Sequence, residues 1–209
     1  MRNRLREFFI ASSQQSRSEM EFGMKIGILA VQGAFAEHEQ MLEQLGAEYI
    51  ELRKGEDVRQ SYDGLILPGG ESTVQGKLMR ELDMFDTIQS QIKNGMPVLA
   101  TCAGAILLAQ QLSNDAATHL ATLPAVVRRN AYGRQLGSFS VDEQIEGIGT
   151  FPMRFIRAPY IEKVLDDTKV LAKVDGNIVM VENKNQLAMS FHPELTSDTR
   201  IHEMFLRKI

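Results

Sequence analysis

From Lys25 onward the chain alternates short apolar runs with stretches of helical spacing. Lys25–Val31 is continuous enough in apolar residues to be a buried strand, and Gly33 breaks it. Ala36, Met41, Leu42 and Leu45 recur at helical intervals and Gly46 closes the segment. Tyr49–Leu52, Gly64–Leu67 and Pro97–Thr101 are further strand candidates. Between the last two, Thr73–Ile92 has a helical pattern that divides into two pieces and stops at Asn94-Gly95. Ala103–Leu112 is rich in Ala, Leu and Gln and predicts another helix. Strands alternating with helices predict an α/β fold, a mostly parallel sheet with helices on both faces.

After Asn114 the texture changes. Val126–Arg129, Gln135–Val141, Met153–Ala158, Val170–Val174, Asn177–Glu182 and Leu187–Phe191 predict strands with little helix between them. Asp198–Ile209 predicts a final helix. The first 23 residues stand apart, with Arg2, Arg4, Arg6 and Arg17, a Phe8-Phe9-Ile10 cluster and a polar run from Ser12 to Ser18. Their apolar core is too short for a signal peptide. Residues 1–23 are expected to be a flexible extension (a tag, a leader or an over-extended start), and 24–209 the functional domain.

Composition narrows the function. The 209 residues carry 23 basic and 27 acidic side chains, a net charge of −4, which argues against a nucleic-acid partner. No apolar run approaches the roughly 20 residues that cross a bilayer, so no membrane partner is expected. Cys102 is the one cysteine, so an internal disulfide and any multi-thiolate metal site are excluded. A reducing compartment, most simply a cytoplasm, is expected.

That cysteine lies between a strand pattern and a helix pattern, in Ala100-Thr101-Cys102-Ala103-Gly104. Small neighbours at a strand-to-helix corner have the form of a nucleophile elbow, and the following helix N-terminus favours an anion. Taken singly, Cys102 fits a buried structural cysteine as well. A thiol nucleophile needs a base. Of four histidines, His38, His119 and His202 have no evident acidic partner in the pattern, and His38 alone would be a solvated helix residue. His192 follows an apolar strand in His192-Pro193-Glu194. Pro193 favours extended backbone before it, which puts residues i and i+2 on one side, so Glu194 can orient the imidazole. A solvated turn is the plainer alternative. Acyl transfer also needs N–H donors aimed at the developing oxyanion. Leu67-Pro68-Gly69-Gly70-Glu71-Ser72 offers the Gly70 N–H, and the Ala103 N–H follows the cysteine. Ser72 with Gln75 also fits a helix capping box.

Together, Pro68-Gly69-Gly70-Glu71-Ser72-Thr73, Thr101-Cys102-Ala103-Gly104 and Phe191-His192-Pro193-Glu194 resemble the class I, triad-type glutamine amidotransferases. Ala30–His38, Arg129–Gln135, Phe155–Pro159 and Phe191–Thr196 narrow the resemblance to the glutaminase subunits of pyridoxal 5′-phosphate synthase, over nearly all the chain from Lys25. That resemblance implies a three-layer, flavodoxin-like sheet with an antiparallel strand-rich part in the second half. It implies a glutaminase in which Cys102 attacks L-glutamine, His192 is the base and Glu194 orients it. Gly70, Glu71, Ser72, Arg129, Ile156 and Arg157 would contact glutamine. Ammonia would pass to a barrel-shaped synthase subunit, with Gln32–His38 at that interface. No cofactor and no metal are implied. Other class I glutaminases, serving histidine, purine or GMP synthesis, are the alternative, and the Arg129–Gln135 string argues against them.

The chain departs from the family at Ala100, where Gly is usual, at Ala105, in Leu120–Pro124, and at Arg128. A methyl at Ala100 that crowded the corner would cost about 1–3 kcal/mol.

Overall fold

The computed structural model describes residues 23–131 and 137–209. The extension proposed for residues 1–23 therefore lies, Gly23 excepted, outside the described residues. So do Tyr132–Gln135 of the Arg129–Gln135 string and the start of the Gln135–Val141 strand.

The first half is built as its pattern predicts. Strands β1 (Lys25–Leu29), β2 (Glu48–Leu52), β3 (Gly64–Leu67) and β4 (Val98–Thr101) alternate with α1 (Phe35–Gln44), α2 (Ser72–Glu81) and α3 (Phe85–Lys93). All four strands are parallel, in the order β2-β1-β3-β4. Successive side chains of a strand point to opposite faces, and the core divides accordingly. Leu65, Leu67, Val98 and Ala100 pack with Met79 of α2 and Ile88 and Ile92 of α3 on one face. Ile26, Ile28, Ile66 and Leu99 pack on the other with Leu42 of α1.

One expected element changes identity. The helix predicted over Ala103–Leu112 is α4 (Ala103–Leu108) only, and Ala109–Leu112 is a strand, β5. Its backbone turns extended at Ala109, and Gln111 and Leu112 pair with Val126 and Val127 of β6 (Leu123–Arg128). Gln110 and Gln111 face solvent while Ala109 and Leu112 are buried. A sheet edge in need of hydrogen bonds overrides the helix propensity of Ala, Leu and Gln.

The second half is strand-rich, as expected. It contains β7 (Ser138–Ile145), β8 (Gly149–Ile156), β9 (Tyr160–Val164), β10 (Lys169–Val174), β11 (Asn177–Asn183) and β12 (Gln186–Met189), then α5 (Arg200–Leu206). β9 has no counterpart in the strand pattern; Arg157, with φ +42°, and Pro159 separate it from β8. β12 joins the parallel half beside β4, and β11, β9 and β6 extend the sheet beyond it with antiparallel pairings. β7 and β8 form a separate antiparallel hairpin. The hairpin's Phe151, Met153 and Phe155, with Ile201 and Phe205 of α5, cover the face that carries α1. The result is an α/β fold with a mostly parallel centre and an antiparallel flank.

This arrangement brings the carboxyl ends of β1, β3, β4 and β12 to one rim, where ligands collect on open α/β sheets. Close backbone packing fixes that rim. A methyl added at Gly104, in the first turn of α4, would lie 2.1 Å from the Leu67 carbonyl oxygen. Gly104→Ala is therefore expected to lower unfolding stability by about 1–3 kcal/mol. The control Gly137→Ala meets open space and should stay within about 0.5 kcal/mol of the parent. Urea unfolding of the two variants checks this; equal midpoints would contradict the packing argument.

Candidate active site

Cys102 occupies the corner between β4 and α4. Its backbone has φ +47° and ψ −102°, outside the regions that L-residues favour. Such a conformation costs of order 1–3 kcal/mol and persists only where the surroundings enforce it. Here the Cys102 N–H donates to the Met189 carbonyl at 2.8 Å, and the Cys102 carbonyl accepts from the Ala105 N–H at 3.2 Å. Gly104 lets α4 sit against β3. The side chain is turned toward a cavity of about 420 Å³ at the rim.

His192 and Glu194 come from the segment after β12. The His192 N–H donates to the Arg154 carbonyl of β8 at 2.8 Å, and Pro193 starts a short 3₁₀ turn, Pro193–Leu195. His192 Nδ1 lies 2.6 Å from Glu194 Oε1, and both residues are buried. The other edge of the imidazole faces the thiol. Burial by itself would push His192 down. The hydrogen bonds to Cys102 and Glu194, and their charges, outweigh burial and raise its pKa to about 10. Burial pushes the Glu194 carboxyl up, and its hydrogen bond to His192 opposes that. The imidazole thus lies between the sulfur and the carboxylate, and both neighbours favour its charged form.

The Gly-Gly loop after β3 packs directly on this pair. A methyl at Gly69 would lie 2.3 Å from His192 Cε1. Of three successive N–H groups, that of Gly69 donates to Thr101 Oγ1 at 3.0 Å and that of Glu71 to Gln32 Oε1 at 2.7 Å. The Gly70 N–H lies between them on a loop that lines the cavity. The loop is braced from β1's end, where the Ala34 N–H donates to the Gly69 carbonyl at 3.0 Å. Gly33, with φ +106°, makes that approach possible: a side chain there would meet the same carbonyl at 1.9 Å.

The expected capping box is absent. Glu71 is the N-cap of α2, its Oε2 accepting from the Val74 N–H at 3.0 Å, and Ser72 is already helical. Gln75 instead donates its amide to the carbonyls of Gln32 and Pro68. The extended backbone falls one residue earlier than the Ser/Gln spacing implies.

Gly70, Glu71, Ser72, Arg129, Ile156 and Arg157 all line the cavity, with Cys102 and His192. Arg129, after β6, donates to Asp115 at 2.7 Å, and to Glu71 and Thr73 at 3.0 Å each. Its fork is thus held at the mouth by two carboxylates. Ala103, at the first position of α4, is buried beside Cys102. Two of the departures, Ala100 and Arg128, point away from the site. Ala100 is buried in the core face of β4 opposite Leu67, and Arg128 is exposed.

The sequence reading missed one set of side chains. His38 is fully buried, not solvated; its Nδ1 lies 2.9 Å from His202 Nε2 and its Nε2 3.6 Å from Glu194 Oε2. The helical period held the signal, since His38 precedes Met41 and Leu42 by three and four residues and shares their buried face. No group of three or more His, Cys, Asp or Glu among the described residues could hold a metal ion.

The strand-to-helix cysteine corner on this sheet defines a class I glutamine amidotransferase-like α/β protein. The model of the SNO glutamine amidotransferase family matches residues 28–209, and the chain belongs to that family. It is 63% identical over 186 residues to the pyridoxal 5′-phosphate synthase subunit PdxT of Desulfitobacterium hafniense (strain DSM 10664 / DCB-2), covering 89% of this chain and 94% of the relative. The PdxT of Streptococcus pneumoniae (strain CGSP14) is 53% identical, with 88% and 96% covered. A crystal structure of a glutamine amidotransferase superposes with a TM-score of 0.83 at 43% identity, covering 88% of this chain and 97% of that one. PurLQS from Thermotoga maritima, at 18% identity and a TM-score of 0.61, shares the fold alone.

The buried histidines set a pH dependence of stability. Burial lowers His202 to about 4, against about 6.5 in the unfolded chain. The unfolded state then binds more protons between these values, so this contribution is complete above about pH 6.5 and is lost as pH falls toward 4. Wild-type stability minus that of His202→Gln should fall across this window with a slope approaching about 1.4 kcal/mol per pH unit. Parallel urea-stability profiles for the two proteins would contradict it.

Proposed function

We propose that the chain hydrolyses L-glutamine to L-glutamate and ammonia as the glutaminase subunit of a pyridoxal 5′-phosphate synthase. The observation that carries this reading is the convergence on one cavity of Cys102, the His192–Glu194 pair and the Gly69-Gly70 loop. Family membership and PdxT relatives at more than half identity support it.

The chemistry follows from the charges. His192 takes the Cys102 proton as the sulfur attacks and so becomes the acid for the next step. Sulfur attacks the side-chain amide carbon of glutamine. The oxyanion so formed takes the N–H groups of Gly70 and Ala103. His192 hands its proton to the amide nitrogen, the C–N bond breaks, and ammonia leaves a glutamyl thioester on Cys102. The neutral imidazole then takes a proton from water, hydroxide attacks the thioester, and glutamate departs as His192 returns the proton to sulfur. Glu194 holds the ring in place throughout.

Recognition of the amino-acid end falls to the mouth. The Arg129 fork suits the substrate α-carboxylate, which would compete with Glu71 for it. Gly70, Glu71, Ser72, Ile156 and Arg157 complete the wall. Released ammonia passes to the barrel-shaped synthase subunit, and the loop at Gln32–Ala34 is the side offered to it. His38, being buried, does not touch that partner directly. A reducing cytoplasm is the compartment that suits the sole thiol; no described helix is long and apolar enough to cross a membrane.

Glutamate release, assayed with the synthase subunit present, tests the assignment. Cys102→Ala and His192→Asn should each lower it by at least about 10²-fold. Full activity in either variant would show the triad to be misassigned. Arg129→Lys keeps charge but loses the fork, and should raise KM by about tenfold with kcat little changed. An unchanged KM would remove Arg129 from the substrate site.

A further inference from the structure

Behind the proposed triad lies a buried polar chain that the mechanism above does not use. Glu194 presents Oε1 to His192, while its Oε2 is buried without a hydrogen-bond partner. His38 Nε2 of α1 faces that oxygen at 3.6 Å and lies 3.3 Å from Thr101 Oγ1. Thr101 Oγ1 also accepts from the Gly69 N–H. On its far side His38 Nδ1 meets His202 Nε2 of α5 at 2.9 Å. One imidazole thus sits against the threonine beside Cys102, faces the carboxylate behind His192 across 3.6 Å and, through Thr101, adjoins the glycine loop.

The tautomer follows from what each arrangement would leave unpaired. If His202 Nε2–H donates to His38 Nδ1, His38 carries its proton on Nε2, pointing at Thr101 and the Glu194 carboxylate. His202 Nδ1, which has no partner, is then only an unused lone pair. The opposite tautomers would aim a lone pair at the carboxylate and leave a buried N–H donor at His202 Nδ1 without a partner. Orphaned buried donors are the rarer and costlier outcome. Burial, with His202 and His192 nearby, holds His38 well below the ordinary histidine range, which keeps it neutral.

We propose that His38 is a positioning residue: its Nε2–H, fixed by His202, holds the Glu194 carboxylate and the Thr101–Gly69 hydrogen bond in one register. It never touches substrate. It acts through Glu194 on the His192 ring and through Thr101 on the Gly69-Gly70 loop, so base and oxyanion donors are set together. The inference rests on the triad reading above.

The test compares His38→Gln with His38→Asn in the full chain, reading glutamate release with the synthase subunit and alkylation of Cys102 by iodoacetamide. Glutamine is long enough to place an amide N–H where Nε2–H lies, and asparagine ends near Nδ1. His38→Asn should lower kcat by about ten- to a hundredfold, leave KM within about twofold, and slow alkylation. His38→Gln should recover most of both. Equal kcat in the two variants, near wild type or equally impaired, would overturn the proposal. If His38→Asn melts below the assay temperature, His38→Gln decides alone: kcat within about tenfold of wild type supports the proposal, and a larger loss overturns it. His192→Asn separates the two levels. Wild-type alkylation in that variant sinks the triad reading itself. Slowed alkylation there, with identical His38 variants, sinks only the role of His38.

Discussion

The strained backbone at Cys102 is the constraint around which the rest is arranged. A residue with a Cβ at φ +47° does not hold that conformation unaided. β4 and β12 pin its N–H side, and α4, seated on β3 through Gly104, pins its carbonyl side. On the carbonyl side the fit depends on Gly104, where a methyl would meet the Leu67 carbonyl oxygen at 2.1 Å. Once the corner is held, the sulfur stands above the sheet rim, where the Gly69-Gly70 loop and His192 can reach it. The core on either face of the sheet stabilises the strands that make this corner unavoidable.

Electrostatics then differentiate three histidines within one small volume. His192 has a thiol and a carboxylate as neighbours and holds a proton to about pH 10. His202 has neither, and burial takes it to about 4. His38 lies between them, 3.6 Å from the same carboxylate, yet burial and its histidine neighbours keep it neutral. Direct hydrogen bonding at 2.6 Å separates the first case from the third. Identical side chains thereby divide into a charged partner for sulfur and neutral groups that can donate or accept in fixed directions.

Much of this is legible in the amino-acid sequence, for identifiable physical reasons. The cysteine corner announces itself through small residues between a strand period and a helix period. His192 and Glu194 are legible because i and i+2 share a side of extended chain. Local patterns carry local geometry. What escaped depends on distant partners. Ala109–Leu112 has helical composition and becomes a strand because β6 lies beside it. The cap of α2 moves from Ser72 to Glu71 because the loop ahead of it is tied to Gln32 and Thr101. His38 meets Glu194, Thr101 and His202 across long stretches of chain, and no spacing rule encodes that meeting.

If the single thiol attacks glutamine in the cavity at the sheet rim, a glutamine-shaped electrophile will be trapped there. The most direct measurement is mass spectrometry of the full chain, with its synthase subunit, after exposure to an electrophilic glutamine analogue. One adduct per chain is expected, on Cys102, with protection by excess glutamine. No adduct at Cys102, or an adduct that glutamine does not suppress, would contradict it.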